Sequence, residues 1–255
     1  IKRTEDCEEY FTAFPTIAMH DDFLTYEAMS IEQPFSVAFS HLVHKDVAIF
    51  EVFLSLYFRP NNFHCIHVDY KASKDFRRAV ENLVKCYSKK VNHGQIFVLT
   101  KNESISVEWG ETSMLDADMK CHSELLGFKK NKEVAWRYIS SVAGSELPIV
   151  TYSKFHNTLS QHLKSMSSAV ESFRLPKHNE RRFVNHTFDL VTSYEDGVKI
   201  REYKLPTTVN KSQGERFLND NFTFQIFKGS RNVILSSEDS NFFINHPISH
   251  SLYEW

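Results

Sequence analysis

The feature that most constrains the fold is an alternation of short apolar runs with helical patterns over the first 150 residues. The β-favouring runs predict strands at 37–43, 63–68, 95–99 and 136–142. The segments between them predict helices at 48–54, 73–84 and 112–126, the first capped by Asp46. Strands that alternate with helices form parallel βαβ units, so we expect a three-layer α/β sandwich with a mostly parallel sheet. Ligands of such sheets bind at the carboxyl ends of the strands.

The pattern changes after Pro148. A helix is predicted at 153–166, and two alternating runs within 182–204 flank Asp196-Gly197, a dipeptide typical of hairpin turns. Strands are predicted at 222–227 and 232–235, and the rest is helical with a break at His246-Pro247. We therefore divide the chain into a lead-in segment 1–33, a ligand-binding α/β half 34–150, and a second half 151–255 that contains a smaller β region.

Charge and hydropathy exclude two classes of partner. The net charge is −2, and the chain has no clustered basic surface of the kind that binds nucleic acid or an anionic membrane. It also lacks an apolar stretch of about 18 residues, so we expect membrane attachment only through an anchor outside this chain.

Cysteines and sequons indicate a compartment. The four cysteines are Cys7, Cys65, Cys86 and Cys121, and none forms a C-x-x-C pair typical of zinc or redox sites. N-x-S/T sequons predict glycosylation at Asn102, Asn185, Asn210 and Asn221. Together these features favour the secretory pathway.

Several motifs occur in the order and spacing of one enzyme family. The stretch Phe63-His64-Cys65-Ile66-His67-Val68-Asp69 resembles the C-I-H-V-D segment of the core-2/I-branching N-acetylglucosaminyltransferases. Residues 40–45 are similar to that family's first strand, and 136–148 to its W-K-Y-x-x-x-x-G-x-D-F-P segment. Residues 171–183 resemble its acceptor-side stretch, and 227–230 its F-S-G-S turn.

The resemblance implies a GT-A-like fold and a type II membrane enzyme of the Golgi lumen. Its reaction would be inverting, metal-independent transfer of N-acetylglucosamine from UDP-GlcNAc to an acceptor glycan. The resemblance also pairs Cys7 with Cys86 and Cys65 with Cys121, as suits an oxidising lumen. It leaves a homodimer open and implies no cofactor.

The donor site implied by the resemblance centres on Asp69. An aspartate at the carboxyl end of a strand can accept hydrogen bonds from uracil or ribose. From spacing alone, Asp69 could equally be a turn or capping residue before Lys71. His44 and Lys45 would line the same crevice, or else form a solvated pair. Ser106 and Trp109 match a loop that covers the uridine, although its length differs from the family's.

The acceptor site implied by the resemblance includes Glu171 and Arg182, whose carboxylate and guanidinium groups suit sugar hydroxyls. Gly229 and Ser230 of the F-S-G-S-like turn complete it. Asn179 stands where the family has a lysine, so the acceptor contacts are expected to differ in part.

Metal binding and catalysis have separate expectations. Asp116-Ala117-Asp118 has the D-x-D spacing of metal-dependent glycosyltransferases, but it lies in a helical pattern rather than after a strand, so we expect no metal site. The family's general base, a glutamate in S-P-D-E-Y/F-L-W, is expected beyond Trp255. Glu254 matches the preceding helix, and no residue of this chain is predicted to be catalytic.

Two alternatives remain open from the sequence. One is a truncated or non-catalytic member of the family that binds nucleotide, glycan or a partner protein. The other is a xylosyltransferase-type relative, since residues 107–110 also resemble those enzymes.

Overall fold

The computed structural model describes a defined part of the chain. It covers Cys7 and residues 35–89, 95–108, 110–131, 136–162, 167–171, 173–174, 186–193, 197–204, 227–228, 232–246 and 249. The strands are β1 Ser36–Val43, β2 Phe63–Val68, β3 Ile96–Val98, β4 Trp136–Ala143, β5 Phe173–Arg174, β6 His186–Ser193, β7 Gly197–Lys204, β8 Phe227–Lys228 and β9 Ile234–Ser236. The helices are α1 Val47–Tyr57, α2 Lys74–Ser88, α3 Ser113–Asn131, α4 Tyr152–His162 and α5 Ser237–Asn245.

A five-stranded sheet in the order β3-β2-β1-β4-β9 forms the centre of the protein. The first four strands in this order run parallel, and β9 pairs antiparallel with β4. The predicted α/β class and mostly parallel sheet are therefore confirmed. A register shift where β1 meets the start of β4 is the one irregularity in the β1–β4 pairing.

Local sequence signals explain where the helices begin. Asp46 accepts a hydrogen bond from the Ile49 N–H, and Ser73 accepts one from the Phe76 N–H, so both are side-chain caps. Asp46 adopts φ +55°, a left-handed conformation that aspartate tolerates better than most residues. Helices α2 and α3 extend past their predicted ends at 84 and 126.

Helices cover both faces of the sheet. On one face, Phe39 and Tyr138 pack with Phe53 of α1 and Tyr152 of α4, and α2 packs beside α1. On the other face, Ala38, Ile139 and Trp136 pack against α3, whose buried residues there are Cys121, Leu125 and Leu126. The predicted three-layer sandwich is confirmed.

Two disulfides connect these layers. Cys7 is bonded to Cys86 of α2, and Cys65 of β2 is bonded to Cys121 of α3. This is the pairing that the family resemblance implied. The sequence separations are 79 and 56 residues. Cross-links of that span stabilise a fold by about 4 kcal/mol each in the chain-entropy model.

The chain divides into two compact units. Residues 1–169 and 232–244 form the first, and residues 170–231 and 245–255 form the second. Within the first, Ala169 and Ile234 form an antiparallel bridge with N···O distances of 2.7 and 3.0 Å. The chain thus leaves and re-enters this unit at one point. The division into a nucleotide-sugar-binding half 34–150 and an acceptor-side half 151–255 stays a prediction.

The second unit contains two small antiparallel sheets, β5-β8 and β6-β7. The β6–β7 pairing runs from His186↔Lys204 to Ser193↔Gly197, which confirms the predicted hairpin. Of the predicted strand 222–227, all but the last residue lies outside the described ranges, as do 163–166 of the predicted helix. Across the described segments, no helix is both long and apolar enough to cross a bilayer.

Candidate functional site

The carboxyl edge of the sheet brings together the ends of β1, β2, β3 and β4. The strand ends are joined directly, since the Asp69 N–H donates to the Val43 carbonyl at 2.9 Å and the Gly144 N–H donates to the Leu42 carbonyl at 2.7 Å. At this edge, four residues that follow the strands are exposed cationic or imidazole side chains. They are His44, Lys45, Lys71 and Lys101.

Asp69 lies at the centre of this edge and is buried, with 7% of its surface exposed. Its Oδ1 accepts the Lys71 N–H at 2.7 Å, and its Oδ2 accepts the Val107 N–H at 3.2 Å. The first bond is the turn contact that spacing alone allowed. A carboxylate oxygen has two acceptor sites, so each oxygen retains capacity for a ligand hydroxyl or amide.

The segment 104–108 runs alongside the end of β2. The Tyr70 N–H donates to the Ile105 carbonyl at 3.1 Å, and the Ile105 N–H donates to Nε2 of His67 at 2.8 Å. With the bond from the Val107 N–H to the Asp69 carboxylate, one backbone bond and two side-chain bonds hold the segment beside the end of β2. Ser106, between Ile105 and Val107, is exposed.

Arg77 of α2 is a buried arginine at the same edge. Its Nη1 donates to the Leu99 carbonyl at 3.1 Å, and its Nη2 donates to the Val68 carbonyl at 2.9 Å and to the Ser104 hydroxyl at 2.7 Å. One guanidinium therefore connects β2, the residue after β3, and the start of the 104–108 segment. The fixed fork of arginine donors makes this possible.

Lys71 closes the far end of the segment. Its ammonium donates to the Val107 carbonyl at 2.9 Å and to the Glu108 carboxylate at 2.6 Å. The side chains of Lys71 and Glu108 are about half exposed, at 48% and 60%. The hydrogen bond to Glu108 raises the pKa of Lys71 above its ordinary value. Lys71 is thus a partly exposed positive charge at the carboxyl edge of the sheet, and it is already paired with the Glu108 carboxylate.

Gly144 and Glu146 form the end of β4. A Cβ at Gly144 would lie 2.8 Å from Cγ1 of Val43, so only glycine fits against the end of β1. The Glu146 carboxylate accepts the Ala143 N–H at 2.8 Å and the Asn232 amide at 2.7 Å. The Gly144-Ser145-Glu146-Leu147-Pro148 stretch, which resembles the family's segment, therefore begins with a tight turn that holds the end of β4 against β1.

Buried histidines surround the site without being exposed at it. Burial lowers the pKa of His41 to about 3, of His67 to about 4 and of His122 to about 4. His41 and His64 bond to each other at 3.0 Å in the core. These imidazoles are neutral at physiological pH, so they act as hydrogen-bonding groups rather than as charges.

The D-x-D sequence lies inside α3, as predicted. Asp118 is buried and accepts the Ser40 hydroxyl at 2.8 Å. Asp116, two positions earlier, lies on a different side of the helix. Within the described ranges, no three His, Cys, Asp or Glu side chains converge as a metal site requires.

The remaining predicted residues are distributed as follows. Glu171 and Asn102 are exposed. Trp109, the acceptor residues Arg182, Gly229 and Ser230, and the sequons at Asn185, Asn210 and Asn221 lie outside the described residues. Of the predicted donor residues, the structure therefore brings Asp69, His44, Lys45 and Ser106 to one edge of the sheet.

Three contributors to this edge were missed by the sequence analysis. His67 is within the C-I-H-V-D stretch, whose resemblance to the family drew attention to it but assigned no role to the histidine. Arg77 is in an amphipathic helix, where an arginine is normally a surface residue. Lys71 follows Asp69 closely, and its pairing with Glu108 across 37 positions has no signal in a single sequence.

Comparison with known proteins connects this geometry to a family. A model described as Core-2/I-Branching enzyme matches residues 37–251. A β-1,3-galactosyl-O-glycosyl-glycoprotein β-1,6-N-acetylglucosaminyltransferase 4 of Mus musculus is 29% identical, and the alignment covers 100% of this chain and 49% of the relative. An N-acetyllactosaminide β-1,6-N-acetylglucosaminyl-transferase of the same species is 27% identical over 100% of this chain and 55% of the relative.

A third relative gives the same picture. The β-1,3-galactosyl-O-glycosyl-glycoprotein β-1,6-N-acetylglucosaminyltransferase 3 of Homo sapiens is 26% identical over 99% of this chain and 49% of the relative. The chain spans about half the length of the curated relatives it matches. Since the family model matches well over half of the sequence, including every strand of the parallel sheet, this chain belongs to the Core-2/I-branching enzyme family.

Proposed function

We propose that this chain carries the donor-binding part of a β-1,6-N-acetylglucosaminyltransferase. Its donor is UDP-GlcNAc, bound at the carboxyl edge of the sheet without a metal ion, and the sugar passes with inversion to a hydroxyl of an acceptor glycan. The observation that carries the proposal is the buried Asp69, which lies among joined strand ends and retains acceptor capacity on both oxygens.

The charges at this edge support a nucleotide diphosphate as ligand. His44, Lys45, Lys71 and Lys101 are exposed around the buried carboxylate. A uridine would bond to the carboxylate, and the diphosphate would be attracted by the cations. We assign the general base of the transfer to no residue of this chain, so donor binding is the step that these residues support.

The acceptor and the location follow from the relatives. Their names give two acceptor classes, β-1,3-galactosyl-O-glycosyl glycoproteins and N-acetyllactosaminides, and we propose that this protein acts on a glycan of one of these classes. Glu171, which is exposed, is the described residue that we assign to the acceptor. Two disulfides fit an oxidising compartment, and we propose the secretory pathway and its Golgi lumen.

Isothermal titration of the oxidised protein with UDP and UDP-GlcNAc in the presence of chelator tests the donor site. We expect both to bind, and Asp69→Asn to weaken binding at least about tenfold, a loss of about 1.4 kcal/mol. Asp75→Asn, an exposed carboxylate in the first turn of α2, is the matched control and should bind as the wild type does.

Competition with UDP-xylose separates the xylosyltransferase-type alternative, which requires that sugar nucleotide to bind more tightly than UDP-GlcNAc. A folded protein that binds neither UDP nor either sugar nucleotide would overturn the donor site and favour a protein-binding member of the family.

A further inference from the structure

The 104–108 segment is held by side chains that are themselves buried. His67 is 1% exposed and Arg77 is 9% exposed. Each reaches the segment from a different element, since His67 is in β2 and Arg77 is in α2. Neither side chain belongs to the predicted donor set, yet both determine where that segment lies.

The chemistry of His67 fixes one state of its imidazole. Because the Ile105 N–H donates to Nε2, that nitrogen carries no proton and the neutral ring is protonated on Nδ1. Burial lowers the pKa of His67 to about 4, so the acceptor persists throughout the neutral and mildly acidic range. The bond is 2.8 Å long and joins the end of β2 to the middle of the segment.

The chemistry of Arg77 fixes the start of the segment. Two backbone carbonyls hold the guanidinium in place, and Nη2, which already donates to one of them, also donates to the Ser104 hydroxyl at 2.7 Å. The Ser104 hydroxyl in turn donates to the Thr100 carbonyl at 3.0 Å. A lysine could satisfy these acceptors only in part, because its single ammonium lacks the planar fork.

We propose that His67 and Arg77 are positioning residues for the nucleotide: they keep segment 104–108 ordered against β2 before the donor arrives. Ordering a free residue opposes binding by about 1–2 kcal/mol of backbone entropy at room temperature. A segment that is already ordered spares the complex that loss, which is the usual gain from preorganisation. The inference rests on the proposed donor site, and it requires no contact between either side chain and the nucleotide.

The test compares variants of each bond by titration with UDP, below each variant's melting temperature. His67→Phe removes the acceptor, whereas His67→Gln places an amide oxygen near the position of Nε2. Ile105→Pro removes the N–H donor of the same hydrogen bond at a partly buried position of the segment and leaves His67 itself unchanged. Arg77→Met and Arg77→Lys test the second anchor, with exposed Arg78→Met as the matched control.

We expect His67→Phe, Ile105→Pro and Arg77→Met to weaken UDP binding at least tenfold, with a more unfavourable binding entropy. His67→Gln should restore affinity to within about threefold of the wild type, and Arg77→Lys should lie between Arg77→Met and the wild type. Amide hydrogen exchange at Val107 should be faster in all three weak binders, and exchange at Ile105 should be faster in His67→Phe and Arg77→Met. Both rates should be unchanged in Arg78→Met.

The outcomes separate the two proposals. Unchanged UDP affinity in His67→Phe, Ile105→Pro and Arg77→Met, with lowered melting temperatures alone, would show a purely structural role and overturn this inference while the donor site stands. Absence of UDP binding by the folded wild type would overturn the proposed function, and the inference with it. Ile105→Pro keeps the test decisive if the core variants fail to fold.

Discussion

At the amino edge of the sheet, buried polar side chains bond mainly to residues in or next to strands and helices, whereas at the carboxyl edge they bond mainly to connecting segments beside exposed charges. At the amino edge Asn62 accepts the Val37 N–H at 3.1 Å and donates to the Tyr152 hydroxyl at 2.8 Å. Arg59 there lies 4.4 Å from the centre of the Tyr152 ring. At the carboxyl edge Asp69 accepts the N–H groups of Lys71 and Val107, and Arg77 donates to the Leu99 carbonyl, the Ser104 hydroxyl and the Val68 carbonyl at the end of β2.

If the proposed donor site is correct, the difference separates stability from binding within one α/β unit. Side chains that bond to strand and helix residues fasten an edge and contribute stability. Side chains that bond to loop backbone order the loop and leave its outer surface free for a ligand. The residue types are nearly the same at the two edges, so the choice of partner, and not composition, distinguishes them.

Acid should weaken both edges through the core that they share, and this is the largest expected effect. Burial depresses the pKa of His41 to about 3 and of His67 and His122 to about 4, and that of His64 lies well below its ordinary value. The unfolded chain therefore binds more protons below about pH 6.5. Stability falls as pH decreases, by about 1.5 kcal/mol for each of His41, His67 and His122 between pH 6.5 and 5.

Denaturant unfolding at several pH values measures this slope. His122→Gln should reduce the slope by one histidine's share. A free energy of unfolding that is constant from pH 7 to 5 would contradict the assignment of these histidines as neutral in the fold.

Asn62→Leu should destabilise the amino edge of the sheet without affecting the carboxyl edge. It leaves the buried Val37 N–H and Tyr152 hydroxyl without their partner, and we expect a loss of about 2–4 kcal/mol in unfolding free energy. UDP affinity should stay at the wild-type value because the carboxyl edge is unaltered. Asn61→Leu, at a partly exposed neighbouring position, is the control. Loss of UDP binding in folded Asn62→Leu would show that the edges are coupled.

Gly144→Ala should disturb the carboxyl edge. The added methyl would meet Cγ1 of Val43 at 2.8 Å and its Cα at 2.9 Å, so the end of β1 must move. We expect a loss of about 1–3 kcal/mol in stability, and also weaker UDP binding. Gly127→Ala is a matched control in α3 with open space around it, and it should stabilise the protein by about 0.5–1 kcal/mol. Equal effects of the two substitutions would contradict the crowding at Gly144.

Asn102→Gln should have the smallest effect. Asn102 is exposed in the short 3-10 turn 101–103 after β3, where a glycan can project into solvent. Expressed in a secretory host, the variant should lose one endoglycosidase-sensitive mass increment and change in stability by less than about 0.5 kcal/mol. An unchanged mass pattern would show that this sequon is not used.

Local signals predicted most of the α/β unit. Apolar runs gave the four parallel strands, Asp46 and Ser73 gave helix starts, and Asp196-Gly197 gave the hairpin. The pairing of β9 with β4 could not be predicted, because it joins residues 94 to 98 positions apart whose short apolar patterns fit many partners. Helix ends were less accurate, since packing extends α2 past its predicted last residue.

The sequence predicted several residues of the candidate site, but not the hydrogen bonds that hold them together. The resemblance led to Asp69, and the parallel topology explains why His44 and Lys45 lie near it. The bonds of Asp69 to Val107, of His67 to Ile105 and of Arg77 to Ser104 depend on which loop returns to which strand end. That information is in the tertiary fold and not in local sequence spacing.

The bridge between Ala169 and Ile234 makes 170–231 an insertion that begins and ends at one place. Closing such an excursion depends only weakly on its length, since doubling a flexible loop opposes folding by about 0.6 kcal/mol. We therefore expect changes in the length of this segment to have little effect on the stability of the parallel sheet. Under the proposed function, a lineage with this topology could evolve new acceptor preferences while inheriting the same donor-binding part.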